Sequence, residues 1–173
     1  GEVVRTSQSV TRAIEEFRFN EAAGALYRFA WNVFCDWYLE LAKPLLNGED
    51  EPAKVETRRT AAWALDRILV LLHPFMPFLT EELWGRLSES GPQRERLLIA
   101  ERWPQLPDAL IDADADAEMD WVVRLISETR ALRSELNVPP AARVPLLLIG
   151  ASPDSAKRLE CYQDLVDRLA RLD

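Results

Sequence analysis

Histidine occurs once in these 173 residues, at His73, and cysteine twice, at Cys35 and Cys161. A zinc site needs several His, Cys or carboxylate ligands together, and a di-iron bundle needs paired Glu-x-x-His elements, so a single histidine supplies neither. The cysteines fit no metal or redox spacing. Cys35, beside Phe34 and near Trp37, is expected to be a free thiol buried as a small apolar group. No run of about 18 uncharged apolar residues is present, so no membrane-spanning helix is expected. The opening GEVVRTSQSV has neither an initiator Met nor the basic and apolar stretches of a secretion signal; the sequence reads as a piece of a longer, cytoplasmic chain. No glycine-rich elbow offers a nucleophile, and no catalytic residue is assigned. Positive charge is scarce as well. Lys+Arg number 21 against 29 Asp+Glu, a net charge of −8, unlike a free-standing nucleic-acid binder. The deficit is uneven: residues 1–100 carry 12 basic and 15 acidic side chains, residues 101–173 carry 9 and 14. A local basic face therefore remains open to the first part.

What is abundant is helical pattern. Apolar residues make up 48% of the chain and include six tryptophans, enough to bury a core. After a short helix over 9–17, the positions Ala23, Leu26, Ala30, Val33, Trp37 and Leu41 recur at threes and fours. They predict a long helix begun by an Asn20 cap, with Glu21 suiting its positive end, and ended near Lys43 and Pro44. A second helix is expected over 55–72 with Ala61, Leu65, Ile68, Leu69 and Leu72 inward, and a third over 77–87. LLIAERWPQLP reads as extended. The acids of DADADAEMD suit the N-terminal end of a helix over 117–136, with Met119, Val122, Ile126, Thr129 and Leu136 as its inner stripe. A strand over 144–149 and a helix over 154–172 follow. The expected fold class is mainly α: an antiparallel helical bundle over 1–110, then a small helix–strand–helix α/β extension over 111–173. A lone strand needs a neighbour for its backbone groups, supplied either by LLIA or by chain beyond Asp173.

LLHPFMPFLTEELW interrupts this pattern. Pro74 and Pro77 cannot both lie in one straight helix, but Pro77 suits the first turn of a new one. The stretch is a corner packed by Phe75, Met76, Phe78 and Trp84, and His73 is a helix-end residue of that corner. The long helix would run roughly 38 Å, and an antiparallel return brings Arg18, Phe19 and Asn20 to the same end as Pro77, Phe78, Thr80 and Glu81. Two helix starts, a cation, an aromatic face and polar side chains are what a splayed RNA loop requires. The same aromatics and acids would equally suit a helical module that docks a protein without RNA.

RFNEAAGALYRFAWNVFCDWYLELAKPLL followed by LLHPFMPFLTEELW closely resembles the anticodon-binding domain of the bacterial valyl-tRNA synthetase family. The corner is of a kind shared by the class I synthetases for valine, isoleucine and leucine, and FCDWYLE is similar to the valyl form rather than the isoleucyl. ETRALRSELNVPPAARVPLLLIG resembles the small extension after the bundle. The resemblance implies a partner, the anticodon stem-loop of the tRNA for valine, whose anticodons share a middle adenine and a final cytosine. It implies that Arg18, Phe19 and Asn20 read them, with Phe78, Thr80 and Glu81 on the facing corner. It also implies that ATP-dependent activation and editing belong to other domains of a parent chain, because neither a His-Ile-Gly-His-like quartet nor a Lys-Met-Ser-Lys-Ser-like loop occurs here. No cofactor and no metal is expected for these residues.

Overall fold

A computed structural model describes residues 1–173, the side chain of Ser90 excepted. The chain divides into two compact units, Gly1–Ile111 and Asp112–Asp173. The first is all helix and turn. Its elements are α1 (Glu2–Glu15), α2 (Phe19–Arg28), a π-helical segment (Phe29–Tyr38), α3 (Leu39–Asn47), α4 (Pro52–Leu72), α5 (Pro77–Ser90) and two 3-10 turns, Leu98–Ala100 and Asp108–Leu110. No helix is long and apolar enough to cross a membrane among the described residues.

The long helix expected after residue 20 forms, with three changes. It begins at Phe19, capped by the backbone of Arg18, and Asn20 lies inside its first turn. It passes Pro44 and ends at Asn47, where Gly48 turns extended; Pro44 forfeits one backbone bond close to the end. Its middle is π-helical, with bonds reaching five residues instead of four. That wider winding brings Phe29 and Phe34, five apart, into one buried cluster with Ala64 and Ile68. The buried stripe is thus Ala22, Leu26, Phe29, Phe34 and Ala42, whereas Ala23 is exposed and Ala30 and Val33 are half-buried. Cys35 comes out on the exposed side, a correction to its expected burial, and both cysteines are free.

The helices run antiparallel, as their contacts show. Ala22 and Leu26 meet Leu71, Phe29 and Phe34 meet Ile68 and Ala64, and the Tyr38 hydroxyl donates to the Thr57 carbonyl at 3.3 Å. The end of α4 is the central post of the unit. Ile68, Leu69, Val70 and Leu71 are buried in succession and feed three clusters. Removing such a side chain leaves a cavity; Leu→Ala in a core of this kind costs about 2–5 kcal/mol. α1 is longer than the pattern suggested because the returning segment covers its outer side. Trp103 Nε1 donates to Thr11 Oγ1 at 2.8 Å, and Gln8 Nε2 to Asp108 Oδ1 at 2.7 Å. Phe17, expected in that helix, instead occupies a left-handed turn at φ 58° after it.

The second unit packs α6 (Ala113–Glu135) on α7 (Pro153–Ala170). The Asp112 side chain caps α6 by accepting from the N–H groups of Asp114 and Ala115, and Ser152 caps α7. The strand expected over 144–149 does not form: one parallel bridge joins Val144 to Leu172, and LLIA, its other suggested neighbour, is a 3-10 turn. Arginines take carbonyls just before that segment and near the end of the chain. Arg133 donates to the carbonyls of Ala142 at 2.7 Å, Arg171 at 3.1 Å and Pro139 at 3.3 Å, and Arg143 to that of Leu172 at 2.6 Å. Arg133 is accordingly the buried member of the α6 stripe, and Leu136, placed inward by the pattern, is exposed.

Candidate nucleic-acid interface

A three-residue link, Glu16 to Arg18, folds α2 back beside α1. Its middle residue Phe17 sits in the left-handed region, and the Arg18 N–H reaches the Ala13 carbonyl at 2.7 Å. A bulky side chain adopts that backbone at a cost of about 1–2 kcal/mol, so the bond helps to hold a strained turn. Phe19 follows as the first residue of α2. It is 53% exposed and stands edge-on to Phe17, ring centroids 6.3 Å apart. The Arg18 guanidinium is held between Glu16 and Glu21, with Nη1 2.7 Å from the Glu21 carboxylate. Desolvation opposes its charge, but the two carboxylates outweigh it and raise its pKa. Asn20 is exposed. No side chain caps the start of α2 or of α5, so first-turn N–H groups remain open at both.

Phe19 lines one groove, and its neighbours Arg18 and Asn20 line another. The first, apolar and of about 510 Å³, is lined by Ile14, Phe19, Pro74, Phe75 and Trp103, with Thr11 and Glu15. The start of α2 and the α4–α5 corner therefore do meet at one end of the unit. The second, polar and of about 560 Å³, lies between α1 and α2 and is lined by Arg5, Arg12, Arg18, Asn20, Glu21 and Arg28 among others. The arginines at 5, 12 and 28 went unread in the sequence as site residues. The clue was the spacing of Arg5 and Arg12, seven apart and hence on one helix face.

The facing corner divides its residues differently from expectation. Phe78 is 91% exposed. Thr80 is buried, its hydroxyl donating to the Met76 carbonyl at 2.9 Å and lying 2.9 Å from His73 Nδ1. Glu81 accepts from the N–H groups of Leu98 at 2.7 Å and Ile99 at 3.2 Å. Both were expected to face a ligand; Thr80 instead bonds within its own corner, and Glu81 is engaged by the 85–100 return. Arg94 locks that return: it pairs with both Asp66 oxygens, at 2.6 and 2.9 Å, and lies 3.9 Å over the Trp84 ring. His73 thus serves the joint through Thr80. No group of three metal-ligating side chains occurs among the described residues.

A half-exposed ring, open helix starts and a basic groove are parts by which splayed nucleic-acid loops are held. The chain belongs to the family described as "Anticodon-binding domain of tRNA ligase", whose profile matches residues 1–148. Among its relatives are the valine–tRNA ligases of Caulobacter vibrioides, 60% identical over all of this chain, of Rhizobium meliloti, 52% identical over 99% of it, and of Agrobacterium fabrum, 49% identical over 99% of it. The chain spans 18–19% of the length of these relatives.

Proposed function

We propose that this chain is the part of a valine–tRNA ligase that holds the anticodon stem-loop of the tRNA for valine, so that the distant acceptor end reaches a catalytic domain. In this reading ATP-dependent esterification and editing belong to other domains of the parent, which works in the cytoplasm where translation draws on its product. The observation that carries it is Phe19: a ring 53% exposed at the first position of a helix with no side-chain cap, lining one groove while its neighbours Arg18 and Asn20 line another. One anticodon base stacks on that ring, Asn20 and the open N–H groups supply hydrogen bonds, and Arg18 with Phe78 borders the loop. Thr80 and Glu81 contribute by fixing the corner. The exposed apolar residues Leu79, Leu97 and Ile99 suit contact with the parent's other domains, which are partners in the same reading.

Titration of a valine-anticodon hairpin, against one with its middle and last anticodon bases exchanged, tests the proposal. The matched hairpin should bind more tightly, and Phe19→Ala should weaken it about tenfold, the loss of one stacked base at about 1–3 kcal/mol. Equal affinity for both hairpins would overturn it.

A further inference from the structure

We propose that the groove between α1 and α2 is a track for the sugar–phosphate backbone of the bound loop, gripped chiefly by Arg12 and Arg28. The inference rests on the RNA reading of the Phe19 end and adds the residues that supply its affinity. All four arginines among the first 28 residues line this groove, whereas of the four glutamates there only Glu21 does. A segment that is neutral as a sequence thus becomes one basic face in three dimensions. Ala13 and Ala25 also line the groove and keep it shallow, so a backbone can approach the guanidinium groups. Arg5 pairs with Glu2, and Arg18 with Glu16 and Glu21. Arg12 and Arg28 are exposed and have no ion pair among the described residues, which leaves their charges for a ligand.

The groove shares Arg18 and Asn20 with the Phe19 end, so a strand whose base stacks on Phe19 continues into it. Guanidinium groups pair well with phosphate oxygens and carry no base preference of their own. The division of labour follows: Phe19 discriminates between loops, and the groove binds any of them. It also answers the −8 net charge, since affinity depends on local phosphate neutralisation rather than on the total.

The test is hairpin affinity across a fourfold range of salt for the parent chain, Arg12→Gln/Arg28→Gln and Phe19→Ala. Each phosphate contact to a single strand contributes about 0.7 to the slope of log affinity against log salt, so the double variant should flatten that slope by about 1.4. Across the fourfold range the parent should then lose about sevenfold more affinity than the variant. The variant should weaken matched and exchanged hairpins equally, while Phe19→Ala should narrow the preference and keep the parent's slope. A parent that prefers the matched hairpin with a double variant of unchanged slope overturns the track alone. A parent with no preference overturns the anticodon reading, and with it the basis of the track. A polyglutamate peptide that binds the parent as tightly as the hairpin does would assign the groove to an acidic protein partner instead.

Discussion

Phe78 and Thr80, two residues apart at the start of α5, have opposite environments. Phe78 is 91% exposed and Thr80 is 1% exposed. Within one turn of a helix, two positions differ by about 200° around the axis, so one points out while the other turns into the corner. Thr80→Val keeps the shape but removes the hydroxyl between His73 and the Met76 carbonyl. With a buried group left unsatisfied, it should lower stability in urea unfolding by about 1–3 kcal/mol. Phe78→Ala should change stability by no more than about 0.5 kcal/mol and, on the proposed function, should weaken the hairpin. A Thr80→Val chain as stable as its parent would show that the hydroxyl does not hold the joint. Sequence named both residues as candidates because they fall at the same end as the start of the long helix; which of them is available there depended on the direction each side chain takes.

At the scale of elements, the corner and the long helix show how local rules combine with neighbours. Pro77 begins α5 where its missing N–H is harmless, a position legible directly from the sequence. Glu81 was not, since its partners lie 17 and 18 residues further along. Glu81→Ala should release the Leu98–Ala100 turn, and hydrogen exchange at the Leu98 and Ile99 amides should become faster. Glu81→Gln retains an accepting oxygen and should preserve part of the protection. Unchanged exchange in the alanine variant would mean that Leu98, buried beside Trp84, holds the turn by packing alone. The π-helical segment has the same lesson. A period of 3.6 placed Val33 inward, and the wider winding at Phe29–Tyr38 moved the buried stripe to Phe34 instead.

The molecule as a whole is two compact units, each with its own buried residues. Every residue of the candidate interface lies in the first, so residues 1–111 made alone should keep the preference for a matched hairpin, and residues 112–173 should bind neither hairpin. Loss of preference in the shorter chain would mean that α6, which the family profile also covers, takes part in binding. The chain alone determined that helices form, where the proline corner falls and, within one turn, where the long helix begins, because periodicity, missing N–H groups and chain turns act over a few residues. Only tertiary structure decided that four arginines from α1, α2 and the link between them share one groove, that Thr80 and Glu81 take internal partners, and that Arg133 is buried on backbone carbonyls. Each of those depends on which face of an element meets another, and that is settled by contacts between residues far apart in sequence.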